Sequence, residues 1–126
     1  MKALILMIAA LPAPALAEGA RVVFDCRTAT RCDGAGSCDV ATDPHRFSFA
    51  PLARGTDEVD LYEVSYDEVT AEAEAPAGLR QFSWSEGAGD RQTLLLNDDT
   101  HATWHRLRED DARETEIAFL RCEVLQ

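Results

Sequence analysis

The sequence predicts an all-β fold: a small antiparallel meander barrel or sandwich of about eight strands, stapled by two disulfides. Three observations point there. Strand-length runs of alternating apolar and polar residues recur along the chain, turn-forming residues break them roughly every ten positions, and four cysteines sit at spacings that suit a strand framework.

Taken in order, Arg21 to Cys26 is a β-branched and aromatic run, and Asp33-Gly34-Ala35-Gly36-Ser37 is a turn. Arg46 to Ala50 alternates Phe47 and Phe49 with polar neighbours, and Pro51 to Asp57 breaks that run. From Val59, Asp60, Tyr62, Val64 and Tyr66 share one strand face, with Val59, Leu61, Glu63 and Ser65 on the other. Tyr66 to Ala75 admits two readings. Ser65 and Glu68 have the spacing of a capping box that opens a short helix, whereas Val69, Ala71, Ala73 and Ala75 alternate with Thr70, Glu72 and Glu74 as in a strand. The strand is the expectation adopted here. After Pro76-Ala77-Gly78, Leu79 to Trp84 places Phe82 and Trp84 on one side, and Glu86 to Asp90 is a glycine-containing turn. Arg91 to Leu96 and Thr100 to Leu107 form a hairpin across Asn97-Asp98-Asp99, and Thr115 to Val124 is the last strand after a polar bend at Glu109 to Arg113.

Residues 1–17 read as a cleavable export signal: a positive charge at Lys2, an apolar run from Ala3 to Leu11, and small residues at Ala15 and Ala17. The run is interrupted by Pro12 and Pro14 and falls short of the roughly 20 residues that cross a bilayer. With no cysteine after the cleavage site, neither a membrane anchor nor a lipid anchor is expected. Residues 18–126 then form a single β domain, one core's worth of chain. An arginine-only, alanine-rich composition fits a GC-rich bacterial coding sequence, so the expected destination is the periplasm or the exterior.

Cleavage removes Lys2, the one lysine, and leaves 11 arginines against 23 carboxylates, a net charge of −12 where the full chain carries −11. Such a surface repels nucleic acid and anionic lipid and attracts a cationic partner through a field screened over about 10 Å at 0.1 M salt. The same acidity also keeps an exported domain soluble.

Cys26, Cys32, Cys38 and Cys122 allow three pairings. Cys32 and Cys38 bracket the glycine-rich turn, so a bridge between them closes a tight hairpin loop. Cys26 is left for Cys122, which ties the first strand to the last. A zinc site is not expected, since there is no C-x-x-C pair and no histidine at ligand spacing, and an oxidising compartment favours bridges. A redox-active thiol pair is not expected either.

His101 and His105 stand four apart, a spacing that unites two imidazoles on a helix but separates them by about 13 Å on a strand. In the expected strand they are structural, as is His45. Asn97, Asp98 and Asp99, and likewise Asp57, Glu58 and Asp60, are carboxylate clusters without the twelve-residue calcium loop, and they read as solvated turns. Gly34 with Gly36 and Gly87 with Gly89 are turn glycines without a following helix. There is no nucleophile elbow and no Cys and His arrangement, and any pair among so many carboxylates carries little specificity.

Phe24-Asp25-Cys26, the meander of short strands and a last strand ending in Cys122 resemble the small periplasmic inhibitors of C-type lysozyme, the MliC and PliC family. The resemblance implies an antiparallel barrel with linked terminal strands that plugs the cleft of a strongly basic enzyme. It departs from the family at Ser83 to Arg91, which lacks the inhibitory loop's serine and glycine followed by a basic residue and tyrosine. It departs also in the missing lysine of a later loop and in the added Cys32 to Cys38 hairpin. The resulting expectation is a non-enzymatic binding protein with no cofactor and no metal, whose partner is a basic protein, with lysozyme inhibition as the most concrete form. Two alternatives stand beside it: a carrier of a small apolar ligand lined by Phe47, Phe49, Tyr62, Phe82 and Trp84, and a hydrolase using paired carboxylates.

Overall fold

The computed structural model describes residues 21–54, 59–76, 80–87, 89–108 and 115–125. The expected signal segment, the bends at 55–58 and 77–79, and the polar bend at 109–114 lie outside them. Among the described residues, nine antiparallel strands form one sheet: β1 (Val22–Asp33), β2 (Cys38–Val40), β3 (Pro44–Arg54), β4 (Val59–Tyr66), β5 (Val69–Pro76), β6 (Gln81–Trp84), β7 (Asp90–Leu96), β8 (His101–Arg108) and β9 (Glu116–Leu125). Their order is β2-β1-β3-β4-β5-β6-β7-β8-β9, and β9 pairs back onto β1. Eight strands therefore close a barrel, which removes the exposed edges of an open sheet, and β2 is an added hairpin strand.

β1 does the work of two strands. Its first half pairs with β3, from Val22 opposite Phe49 to Arg27 opposite Pro44, and its far end pairs with β2, while β9 runs beside its whole length. It runs past Cys26, where the sequence run was expected to end, because Arg27 to Asp33 finds partners on both sides. The β1–β9 register shifts between Thr28 and Thr30. This bulge lets the long strand bend with the wall.

β3 also runs through Pro51, expected to end it. Proline has no N–H for the ladder, and the strand absorbs it by a register shift between Pro51 and Ala53 that leaves Leu52 51% exposed. The β1–β2 turn forms as expected: Asp33 Oδ1 accepts from the backbone N–H groups of Ala35 and Ser37, each at 2.9 Å, and Gly36 takes φ 88°. The Ser65–Glu68 helix start does not form. Tyr66 pairs with Val69 across a two-residue turn in which Asp67 takes φ 48°, a left-handed conformation that aspartate tolerates.

The interior is filled by unequal neighbours. β5 turns Ala73 and Ala75 inward, fully or nearly buried, with Val69 and Ala71 packed against the same core. β3, β4, β6 and β8 contribute Phe47, Phe49, Val64, Tyr66, Trp84 and Trp104. Small residues on one strand make room for rings from the others, as a tapering barrel requires. Phe47 lies against Tyr66, Trp84 and Trp104 with centroids 5.1 to 6.3 Å apart, and Phe49 stacks on Phe82 at 3.9 Å. Both indole N–H groups are satisfied: Trp84 donates to Tyr66 Oη at 3.2 Å and Trp104 to Gln92 Oε1 at 2.9 Å.

One end of the interior is capped by charge. Glu116 Oε1 lies 3.0 Å from Arg31 Nε and 4.0 Å from Arg106 Nη1, and the Arg106 guanidinium carbon sits 4.3 Å above the Trp104 ring. Thr28, 2% exposed on the inner face of β1, has no partner for its hydroxyl oxygen among the described residues.

Both disulfides join residues directly opposite in the ladder, Cys26 to Cys122 across β1–β9 and Cys32 to Cys38 across β1–β2, each with 4.0 Å between Cα atoms. Loop closure makes their contributions unequal. The chain-entropy relation gives about 4.7 kcal/mol for the long loop and about 2.2 kcal/mol for the six-residue one, both upper values in practice. Urea denaturation of C26S/C122S and C32S/C38S should therefore show the first pair to be the more destabilised, and the reverse order would refute a barrel held at this seam. Thr28→Val keeps the strand-favouring shape and removes the unpaired hydroxyl, so the same measurement should show it stabilised by about 1 kcal/mol.

Candidate functional site

A groove of about 550 Å³ lies on the outer wall beside the Cys26–Cys122 bridge, lined by Asp25, Arg27, Pro44, Thr100, His101, Arg121 and Glu123 together with the two cysteines. Strand alternation builds it. Because Cys26 points inward, Arg27 points out, and because Ala102 is buried, His101 points out as well. The registers then align three basic side chains across three strands: Arg27 on β1 faces Arg121 on β9, which faces His101 on β8. With strands about 4.8 Å apart, the row spans about 10 Å. Pro44 on β3 extends it as an apolar end wall opposite Arg27. The next outward row is acidic, with Asp25 opposite Glu123, and Asp25 is engaged by Arg46 at 3.6 Å.

Among the described residues the Arg121 guanidinium has no hydrogen bond or ion pair, and Arg27 has one contact, Nη1 donating to the Thr42 carbonyl at 3.4 Å. Like charges directly opposite on a ladder are destabilising. This pair is thus costly where it stands.

The groove's rim at the β7–β8 turn is set by Asp98. Its Oδ1 accepts from the N–H groups of Thr100 at 2.7 Å and His101 at 2.8 Å and lies 2.9 Å from His101 Nδ1. The Thr100 N–H first and the His101 ring second lower the Asp98 carboxyl from 3.8 to about 2. The Thr100 carbonyl accepts from the Cys122 N–H at 2.8 Å, fastening the turn to the disulfide strand. Thr100, His101 and Asp98 hold a hydroxyl, an imidazole and a carboxylate together, yet Thr100 Oγ1 at 2.9 Å and Asp98 both engage the same ring nitrogen, Nδ1. A relay needs the two on opposite nitrogens, so the trio is a turn lock rather than a catalytic triad.

His105 lies two pairs along the same outer face, opposite Ile117, so β8 separates it from His101 as strand geometry requires. His45 sits on the inner side, its ring centroid 5.0 Å from that of Trp104 and Nδ1 3.6 Å from Asp67. All four cysteines are bridged. Of the acidic clusters, Asn97 to Asp99 forms the β7–β8 turn, with Asp99 2.9 Å from Arg80, while Asp57 and Glu58 lie outside the described residues. Phe47, Phe49, Tyr62, Phe82 and Trp84 come together as the ring cluster of the core.

A second charged surface covers the β4–β5 hairpin. Glu63, Asp67, Glu68, Glu72 and Glu74 are exposed, and no Lys, Arg or His occurs between Val59 and Pro76. Glu63 stands directly opposite Glu72. Among the described residues, Glu63, Glu68, Glu72 and Glu74 have no ion-pair partner.

No protein-family model, curated protein or solved structure matches this chain. The cationic row escaped the sequence reading, although a signal for it was present. In an antiparallel pair with Cys26 opposite Cys122, the residue after the first cysteine must oppose the residue before the second.

Because the Asp98 carboxyl is lower in the folded chain than in the unfolded one, its contribution to the turn is complete above about pH 4 and is lost as pH falls through about 2. A carbon-detected NMR titration should place the Asp98 midpoint near 2, with the Thr100 and His101 amides moving on the same curve. A midpoint at the ordinary value of 3.8 would mean that the turn bonds do not hold the carboxylate.

Proposed function

We propose that this chain is an exported, non-enzymatic binding protein of the cell envelope and that its partner is a basic protein. The observation that carries this reading is the β4–β5 hairpin, where Glu63, Glu68, Glu72 and Glu74 are exposed without an ion-pair partner among the described residues and Glu63 faces Glu72 across the ladder. Such a pair costs stability in the free protein. A partner's lysine or arginine placed between the two removes that cost on binding. The wall's single sign steers a cationic surface toward it, raising the association rate more than the lifetime of the complex.

Export is supported by residues 1–17 and by the two disulfides, which fit an oxidising, extracellular or periplasmic environment. Inhibition of a C-type lysozyme is the most concrete form of the proposal. Its support is the layout shared with the periplasmic inhibitors, including the bond between first and last strands.

The test is a muramidase and binding assay with the oxidised chain from Glu18 to Gln126 against a basic C-type lysozyme, at low and moderate salt. Binding should weaken steeply with salt, and E63Q/E72Q/E74Q should slow association by roughly tenfold at low salt while flattening the salt dependence. No binding, or binding that the triple variant leaves unchanged, would sink the proposal.

A further inference from the structure

The groove beside the Cys26–Cys122 bridge is unrelated to the acidic hairpin and has its own chemistry. We infer that it is a binding site for a compact, doubly charged tetrahedral oxyanion of the phosphate or sulfate type, held by Arg27, Arg121 and His101.

The argument begins with donors. A guanidinium carries five N–H donors and no acceptor, so two of them facing each other cannot satisfy one another. Here they are adjacent across the ladder in a chain whose carboxylates outnumber its basic residues almost two to one. The nearest acidic row does not serve them. Asp25 is engaged by Arg46, and Glu123 is not within ion-pair distance of either arginine. An anion seated between Arg27 and Arg121 turns their repulsion into two attractions. Arginine's planar fork suits such oxygens.

His101 supplies the third direction. Asp98 and Thr100 both engage Nδ1, which fixes the ring and leaves Nε2 as the nitrogen without a partner in the turn. Two arginines and an imidazole from three adjacent strands stand side by side along one groove, so their donors can reach different oxygens of a single ion. That arrangement matches a tetrahedral oxyanion, whereas a planar carboxylate is served by a single arginine. The floor is rigid, because Cys26 and Cys122 are bonded beneath it and the Cys122 N–H is tied to Thr100. A preorganised site loses little entropy on binding.

Size follows from the surroundings. The cationic row is about 10 Å long and borders the Asp25–Glu123 row roughly 7 Å along the strands. Beyond it lies a chain of net charge −12 after cleavage at the expected site. An extended polyanion or an anionic membrane would meet that charge, whereas a small oxyanion would not. The ligand is therefore inorganic phosphate or sulfate, or the phosphoryl group of a small soluble monoester.

The test uses the oxidised chain from Glu18 to Gln126 and inorganic phosphate, followed by amide NMR at constant ionic strength, with acetate and sulfate as comparisons. Phosphate should move the amides of Arg27, Thr100, His101 and Arg121 saturably, and more strongly than acetate. R27Q/R121Q should weaken the binding by roughly tenfold or more, the loss expected for charge-assisted hydrogen bonds, while R91Q, on an exposed arginine of β7 outside the groove, should not. The double variant removes a like-charge pair, so its thermal stability without phosphate should not fall, which separates lost binding from lost folding. Shifts that spread over the surface, or a double variant that binds equally well, would overturn the site. Binding to phosphatidylglycerol vesicles without any response to phosphate or sulfate would overturn the small-ligand assignment. None of these readouts involves the β4–β5 hairpin, so failure here leaves the basic-partner proposal untouched.

Discussion

The bond between Cys26 and Cys122 fixes the register at which the barrel closes, and most of the molecule's geometry follows from that register. Side chains on a strand alternate faces, so a slip of one residue between β1 and β9 would turn Phe24, Leu120 and Thr28 outward and bring charged neighbours in. A covalent link between directly opposed residues forbids the slip. Hydrogen bonding alone specifies this pairing less firmly, since the partners come from the two ends of the chain and meet at a separation of 96 residues. With the seam fixed, Phe24 faces Val124, Thr28 faces Leu120, and the bulge after Thr28 places Arg31 where it reaches Glu116.

From the seam the interior fills in a determined way. Phe47 and Phe49 on β3 are positioned by β1, and Trp104 on β8 by β9, so rings arrive from both sides of the closure. Ala118 opposite Trp104, and Ala73 opposite both Tyr62 and Trp84, are the small residues that receive them. Their T-shaped contacts and satisfied indole donors make a packed core. Alternation leaves the charged residues on the outer wall, where both proposed sites lie.

Periodicity made most of this architecture readable from the chain. Alternation and β-branched or aromatic runs located the barrel strands, and the Asp-Gly and Asn-Asp-Asp turns located two hairpins because their chemistry is local. What escaped was non-local. β3 passes Pro51 only because a bulge forms against β4, and β1 outlasts its apolar run only because β2 and β9 lie beside it. The strand adopted for Tyr66 to Ala75 did not escape: β5 forms and pairs with β4 across a two-residue turn, and that pairing outweighs the capping box at Ser65. For the outer groove, the cysteine pairing already contained the answer. Arg27 and Arg121 flank the bonded residues, whereas His101 needed the β8–β9 register as well.

The two charged surfaces lie on nearly opposite walls. Around the closed order β1-β3-β4-β5-β6-β7-β8-β9, the cationic row is centred on β9, and the acidic hairpin lies three to four strands away one way round and four to five the other. An eight-stranded barrel is wide enough that this separation exceeds the roughly 8 Å screening length at physiological ionic strength. The net charge therefore does not describe what either wall presents to an approaching molecule. A basic protein would meet β4 and β5 as an acidic surface, and a small oxyanion at the seam would meet two arginines and a histidine. Because the core between them is packed and its closure is covalent, occupancy of one wall has no evident mechanical route to the other. The molecule is best understood as a rigid scaffold with two electrostatically independent faces.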